Sequence, residues 1–189
     1  MPQGRRGGIG VAVRENGHRQ YRGCGRRPDF SSPRVVTRIL VRPAVRSDAE
    51  FLFSMASDAE VVRWVGDGKV WSRAYFDRRL AKALSATDSH RPDVQRWFIG
   101  TTREPIPVGL LSITRRSDHL EVGYWVHPEH WGHRYAGELL EHAQQYAAGL
   151  PMAAQVYRAN TASRRVLESA GFSLVDDTEP MTYRRPPVP

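Results

Sequence analysis

The side chains best suited to chemistry are concentrated between Val126 and Leu140, in the stretch VHPEHWGHRYAGELL. This stretch combines three histidines with tryptophan and glycine where an apolar strand pattern gives way to a helical one. These residue types fit a metal site, a cradle for an anion, or a strand-to-helix turn whose polar residues are merely solvated. Their spacing helps to weigh the three interpretations.

The histidine spacing argues against a metal site. His127 precedes Pro128, which favours extended backbone, whereas His133 is predicted to open a helix. Histidines arranged in this way match neither the H-E-x-x-H pattern of a metal-binding helix nor paired clusters of ligands. We therefore predict that the protein binds no metal here.

An anion suits the stretch better, because the first turn of a helix presents free N–H groups and a partial positive charge of about half a unit. Gly132 lets a ligand approach the backbone, while the small residues Ala136 and Gly137 keep the first turn open. His133 and Arg134 add positive charge. The stretch is neither a Walker loop nor a G-x-G-x-x-G fingerprint, so a phosphate-bearing ligand and a plain turn both remain open.

Hydrophobic periodicity predicts the elements that precede this stretch. An alternating β-branched run predicts a first strand over about residues 36–42, which Pro43 ends. The quartet SDAE occurs at Ser47 and again at Ser57, and each copy predicts a helix start with a reciprocal serine and glutamate capping box. Ser72 is predicted to cap a third helix that continues to about residue 86.

The second half of the chain alternates strands and helices. Three apolar runs joined by short turns predict an antiparallel meander over residues 95–102, 108–116 and 120–126. An amphipathic helix follows, with its apolar face on residues 136 to 147 and its stop at Gly149. The remaining pattern predicts a strand at 152–158, a helix between Asn160 and residue 170, and two last strands in FSLV and MTYRR.

Composition and charge separate a tail from a domain. Residues 1–34 contain seven glycines, three prolines and eight arginines, and they show no periodicity, so we predict a disordered tail followed by one domain over residues 35–189. The tail holds most of the net charge of +8, so any binding of nucleic acid is expected through the tail alone. The single cysteine, Cys24, and the lack of a long apolar run predict a cytoplasmic protein without a membrane span.

Two motifs together resemble the GNAT superfamily of acyl-CoA N-acyltransferases, and in particular its ribosomal-protein N-terminal acetyltransferase-like branch. The first motif, V-x-P-x-x-W-G-x-x-Y-A, matches the pyrophosphate-binding motif at Val126, Pro128, Trp131, Gly132, Tyr135 and Ala136. The second, N-x-x-S-x-x-V-L-x-x-x-G-F, matches at Asn160, Ser163, Val166, Leu167, Gly171 and Phe172. The likeness covers about residues 36–185.

The resemblance implies an α+β fold with a mixed sheet of about seven strands, splayed between the fourth and fifth, and helices on both faces. It implies that acetyl-CoA is the cosubstrate and that its pantetheine lies in the gap between the splayed strands. By the same likeness, the cofactor-binding residues would be Val126, Trp131, Gly132, His133, Arg134, Tyr135, Ala136, Gly137, Asn160 and Ser163. The substrate pocket would contain Trp64, Asp67, Trp71 and Phe76, from the region that walls the acceptor pocket in similar proteins.

Two positions depart from the family pattern. Arg134 occupies the place of a second glycine, where it either crowds the pyrophosphate or adds a charged contact to it. Leu167 occupies the place where many relatives have a tyrosine that protonates the leaving thiolate, so Ser163 becomes our candidate for that acid. Glu121, on the central strand, is our candidate base for the attacking amine. His127, Tyr124 and His119 are weaker alternatives, and strand alternation places Tyr124 on the opposite face from the other two.

These features predict an acetyl-CoA-dependent N-acetyltransferase that acts by direct attack in a ternary complex. Its partners are acetyl-CoA and a primary amine, either a protein N-terminus or a small molecule, and the protein is expected to be a monomer or a homodimer. The alternative is a noncatalytic CoA-binding module of the same fold, whose basic tail binds RNA or the ribosome.

Overall fold

A mixed sheet of seven strands runs through the molecule in the order β1-β2-β3-β4-β5-β7-β6. The computed structural model describes residues 38–85 and 91–187, so the predicted tail lies outside the described residues. The strands are β1 (Ile39–Pro43), β2 (Gln95–Thr102), β3 (Pro107–Arg115), β4 (Leu120–Val126), β5 (Met152–Val156), β6 (Ser173–Asp176) and β7 (Met181–Arg185). The α-helices are α1 (Ala49–Ala56), α2 (Ala59–Val62), α3 (Arg73–Leu84), α4 (Tyr135–Ala143) and α5 (Thr161–Ser169).

The strand connections explain the topology. Strands β2 to β4 form an antiparallel meander, because short turns join them, and β1 pairs antiparallel with β2 although α1 to α3 separate the two in sequence. Strand β5 runs parallel to β4, since the chain returns through α4, and it pairs antiparallel with β7 on its other side. The structure therefore confirms the predicted α+β architecture, with seven strands and a change of pairing between the fourth and fifth.

Alternation along β4 divides the core into two layers. Leu120, Val122 and Tyr124 pack on the face covered by α4, together with the apolar residues of that helix. Trp125 packs on the opposite face, in the cluster formed by α1, α2 and α3. The register between β3 and β4 is continuous, so no bulge reverses the faces of Glu121 or His127.

Two of the predicted helix caps are wrong by one residue. Asp58 caps α2 by accepting hydrogen bonds from the N–H groups of Glu60 and Val61, whereas the Ser57 hydroxyl donates to the Phe53 carbonyl. Asp48 accepts from the Val45 N–H and from Arg42 instead of leaving the cap to Ser47. A carboxylate accepts more strongly than a hydroxyl, so Asp58 rather than Ser57 caps α2. Asp48 stands at the cap position of α1 but makes no cap bond, because its carboxylate bonds Arg42 and the Val45 N–H.

The other helix ends follow the sequence closely. Ser72 caps α3 and Asn160 caps α5, as predicted. Helix α4 begins at Tyr135 rather than at His133 and ends at Ala143, where a 3-10 turn over Gln144–Tyr146 continues the chain. None of the helices in the described ranges combines the length and apolar composition that crossing a bilayer requires.

Close packing between β3 and β4 makes Gly109 a sensitive position. A Cβ atom at Gly109 would overlap the Trp125 carbonyl oxygen, whereas a Cβ atom at Gly137 in α4 would meet open space. We expect Gly109→Ala to lower the free energy of unfolding by about 2–3 kcal/mol, because backbone must move. Gly137→Ala, the matched control, should raise it by up to about 1 kcal/mol through helix propensity. Urea unfolding measures the free energy of unfolding of both variants, and equal effects would contradict the close packing of Gly109 against the Trp125 carbonyl.

Candidate active site

A widening gap between β4 and β5 is the main opening in the sheet. The two strands pair only at Leu120 with Met152 and at Glu121 with Ala153, and beyond these pairs they separate. The N–H group of His127 donates to Val108 on β3, and the N–H group of Leu120 donates to Pro151 on the β5 side. Because bonding directions alternate along a strand, the backbone groups of Tyr124 and Val126 point into the gap. An extended ligand can therefore bond there as an added strand would.

The loop after β4 carries the chain tightly into α4. Trp131 donates its indole N–H to the Val126 carbonyl at 2.8 Å, which anchors the loop to the end of the strand. Gly132 and Arg134 both have left-handed backbone, with φ of 81° and 66°. Glycine adopts this conformation freely, whereas arginine does so at a cost.

The N-terminus of α4 is suited to an anion. No side chain caps α4, in contrast to the caps on α2, α3 and α5. Within the described ranges, the N–H groups of Tyr135 and Ala136 donate to no acceptor, and the first bonded N–H of this turn is that of Gly137. Free N–H groups and the adjacent Arg134 fit the phosphates of a CoA-type ligand. Gly137 leaves the surface beside them open.

On the far side of the gap, Asn160 and Ser163 begin α5. The Asn160 carboxamide oxygen accepts from the Ser163 N–H at 3.2 Å, which fixes the first turn. The Ser163 side chain is fully buried, and its hydroxyl has no hydrogen-bond partner among the described residues. The Tyr124 hydroxyl donates to the Ser163 carbonyl at 3.5 Å. Burial raises the pKa of Tyr124 far above its usual range, so this phenol stays protonated and cannot serve as a base near neutral pH.

The histidines of the loop pack against aromatic rings and against one another, with the His127 and His130 ring centroids 6.0 Å apart. His133 donates from Nδ1 to the Trp131 carbonyl at 3.0 Å, and its ring stacks on Tyr135. His127 stacks on Phe51 of α1 with ring centroids 5.7 Å apart. Burial and the neighbouring histidines lower the pKa of His130. Among the residues that the structure describes, no three His, Cys, Asp or Glu side chains are grouped as metal ligands.

Glu121 lies at the closed end of the gap. It is the last residue of β4 to pair with β5, and its side chain lies on the face of α1, α2 and α3. Arg116 donates two hydrogen bonds to its Oε2 atom, at 2.9 and 2.7 Å, while Oε1 accepts none from the described residues. The sequence analysis did not predict that Arg116 pairs with Glu121, although Arg116 lies just across the β3–β4 turn from it.

The four predicted pocket residues differ in exposure and in the groups that they contact. Trp71 is half-buried and packs edge-on against Trp125 at 5.2 Å, and half-buried Trp64 lies 6.3 Å from Tyr157 at the end of β5. Asp67 is exposed and pairs with Lys69 at 3.6 Å. Phe76 is a correction, because it is fully buried against Phe53 and can only support the pocket wall from behind.

Tyr157 makes a contact to the predicted pocket region that sequence reasoning missed. Its hydroxyl donates to the Gly66 carbonyl at 2.7 Å and so ties the loop between α2 and α3 to the end of β5. This bond joins parts of the chain that are 91 residues apart. A lone tyrosine after a strand carries no local signal for such a contact.

Comparisons with known proteins agree with this geometry. Residues 38–173 match the family described as acetyltransferase (GNAT) domain. YoaA of Bacillus subtilis, described as an uncharacterized N-acetyltransferase, is 30% identical in an alignment of 147 residues that covers 71% of this chain and 79% of the relative.

Solved structures share the fold at lower identity. The spermidine N-acetyltransferase of Vibrio cholerae, solved with CoA and spermine, is 15% identical, with a TM-score of 0.62 over 78% of this chain and 93% of its own. An acetyltransferase of Agrobacterium tumefaciens is 20% identical, with a TM-score of 0.64 over 85% and 98% of the two chains. At these identities the likeness concerns the fold.

Arg134 offers a direct test of the loop. Arg134→Gly should raise the free energy of unfolding by about 1 kcal/mol, because glycine removes the cost of the left-handed backbone. Arg134→Ala keeps that cost and should leave stability nearly unchanged. Both variants should bind CoA more weakly, since both lose the guanidinium beside the free N–H groups. Thermal unfolding and calorimetric titration of CoA measure the two effects, and unchanged CoA affinity would exclude a phosphate contact by Arg134.

Proposed function

The chain belongs to the GNAT acetyltransferase family, and from this membership we propose that it transfers the acetyl group of acetyl-CoA to a primary amine by direct attack in a ternary complex. As a family member it is an acetyl-CoA-dependent acyltransferase. The amine acceptor and the direct attack are the parts that we propose. The observation that carries the proposal is the gap between β4 and β5, which ends beside the uncapped start of α4.

In this proposal, successive groups along the gap bind successive parts of acetyl-CoA, from the pyrophosphate to the thioester. The free N–H groups of Tyr135 and Ala136, with Arg134 beside them, would hold the pyrophosphate. Backbone groups of Tyr124 and Val126 would bond the pantetheine arm along the open edge of β4. Bound in this way, acetyl-CoA supplies a thioester whose carbonyl carbon is open to attack by an amine. Backbone donors at this edge also suit the negative charge that develops on the carbonyl oxygen.

Glu121 is the proposed proton acceptor for the amine. The attacking nitrogen must be neutral, which at pH 7 costs about 1 kcal/mol for an α-amino group and roughly 4–5 kcal/mol for a lysine side chain. Arg116 holds the Glu121 carboxylate through Oε2, so Oε1 can accept the proton directly or through a water molecule. Because Arg116 fixes the carboxylate through one oxygen, the other oxygen stays in position to accept the proton.

Ser163 is the proposed proton donor to the leaving sulfur. Its buried hydroxyl has no partner among the described residues, and the Ser163 N–H is fixed by Asn160 at the start of α5. Leu167 is fully buried and apolar, so it offers no proton at the place where many relatives have a tyrosine. A hydroxyl that lacks a protein partner is available to a ligand sulfur.

Acetyl-CoA binding and turnover test this proposal in the full-length chain. Acetyl-CoA titrated calorimetrically should bind with micromolar affinity, and Gly132→Glu should abolish binding because it places bulk and negative charge at the free N–H groups. Amines added to wild-type protein with acetyl-CoA should then release CoA thiol. Binding without thiol release from any amine would exclude the transferase function and leave a CoA-binding module.

Glu121→Gln tests the base separately from the fold. We expect kcat to fall by about 10²–10⁴-fold, with acetyl-CoA affinity unchanged, because the amide cannot accept the proton. Arg116→Gln is the control variant, since it removes the ion pair with Glu121 and keeps the carboxylate, although it also removes the pair of Arg116 with Asp93. If the two variants lose activity equally, the role of Glu121 is structural. The loss should be larger for amines of high pKa, so a series of amines adds a second readout.

A further inference from the structure

Aromatic rings line the acceptor side of the gap. Three ring pairs join the first helices and their loops to the ends of β4 and β5: Phe51 with His127, Trp71 with Trp125, and Trp64 with Tyr157. Five of these six side chains are half-buried, and only Trp125 is fully buried. An acceptor that reaches the gap from this side therefore passes ring surfaces, which favour an apolar body next to the reacting amine.

The protein's own cations already occupy two of these rings, Trp64 and Trp71, and the neighbouring ring of Phe53. Guanidinium groups lie over Trp64, Phe53 and Trp71 at 4.7, 5.0 and 5.8 Å from the ring centroids, contributed by Arg63, Arg73 and Arg79 respectively. The nearby carboxylates are also in ion pairs, as Glu60 with Arg63, Glu50 with Arg73 and Asp67 with Lys69. A second ammonium group on the acceptor would compete with these cations for the same rings and carboxylates. The surface therefore disfavours polyamines.

Trp125 presents a hydrogen-bond donor that the protein does not use. The Trp97 indole N–H donates to the Gln95 side chain at 3.2 Å, and that of Trp131 donates to the Val126 carbonyl. The Trp125 indole N–H is buried without a partner among the described residues. Leaving such a donor unpaired costs about 1–3 kcal/mol, and an oxygen on a ligand would recover part of that cost.

We propose that Trp125 determines acceptor specificity, and that the acceptor is a monoamine with an apolar body and a carbonyl oxygen beside the amine. This is the chemistry of an apolar α-amino acyl group, such as the first residue of a peptide. The inference rests on the proposed transfer reaction and names its acceptor class. The indole N–H is buried and the half-buried Trp71 ring packs against Trp125, so the proposal requires the acceptor to displace the Trp71 ring. Trp71 belongs to the irregular segment that precedes α3.

Three amines separate the features of the acceptor. Phenylalaninamide has the phenyl group, the α-amine and the carbonyl; phenethylamine lacks the carbonyl; spermidine carries several ammonium groups and no ring. Each is titrated calorimetrically into full-length protein saturated with CoA, which needs no turnover. We expect phenylalaninamide to bind about tenfold more tightly than phenethylamine, as one recovered hydrogen bond allows, and spermidine to bind most weakly.

Trp125→Phe and Trp97→Phe form a matched pair of variants. Trp125→Phe removes the unused N–H, so the ratio of phenethylamine to phenylalaninamide dissociation constants should fall by about tenfold. Trp97→Phe removes an N–H that the protein itself satisfies, so this ratio should be unchanged. Comparing ratios between proteins cancels the different basicities of the two amines. CoA binding verifies that each variant is folded.

A measurement on the wild-type protein keeps the test independent of these variants. In ¹⁵N-labelled protein, phenylalaninamide should shift one indole N–H resonance that phenethylamine leaves unmoved. An unchanged affinity ratio in folded Trp125→Phe, no selective indole shift, or spermidine binding as tight as that of phenylalaninamide would each overturn the inference. Apolar amines that bind without release of CoA from acetyl-CoA would instead refute transfer and leave the acceptor class standing.

Discussion

The parallel pairing of β4 and β5 lasts for two residue pairs, and the functional architecture depends on this limit. Backbone N–H and carbonyl groups need partners when they leave water, so a strand edge that opens inside a sheet must be bonded by something else. Strand β5 pairs instead with β7 along its whole length, from Met152 to Val156, which holds it away from β4. The sheet thus stays continuous at one end and offers unpaired backbone at the other.

The two helical layers provide different chemistry at this opening. On one face, α4 and α5 begin beside the gap, and their first turns contribute free N–H groups and a buried hydroxyl. On the other face, α1, α2 and the loop before α3 contribute aromatic rings with guanidinium groups over them. The bond from Tyr157 to Gly66 connects that second layer to β5 across the opening. In the proposed complex, phosphates and amine would therefore be held from opposite sides of one sheet.

A local conformational cost lies where the ligand is expected, although Asp93, Pro105 and Ala148 also have positive φ. Arg134 keeps left-handed backbone at the start of α4, and the first turn of that helix lacks the side-chain cap that α2, α3 and α5 possess. Among the other helices of the described residues, Asp58 caps α2, whereas Asp48 at the start of α1 pairs with Arg42 and makes no cap bond. The start of α4 is therefore less stable than a capped helix start, and a bound anion would restore part of that stability.

The order of strands and helices could be predicted from sequence, because periodicity is local. Alternation identified residues 95–102 and 120–126 at the bounds the structure has, and the motif at Val126 to Ala136 indicated both the family and its cosubstrate. Capping was less predictable, since Ser57 and Asp58 are adjacent and both able to cap. The one-residue error there reflects competition between neighbours rather than a missing signal.

The sequence by itself determined the elements, the two faces of β4 and the loop that can hold phosphate, because each depends on residues close together in the chain. Only the tertiary structure decided which polar groups find a hydrogen-bond partner. Arg116 bonds one oxygen of Glu121, and the indole N–H of Trp97 finds a partner whereas that of Trp125 has none among the described residues. The tertiary structure also placed Phe76 in the core. Those outcomes depend on distances between segments distant in sequence, and burial makes each unpaired group costly enough to matter.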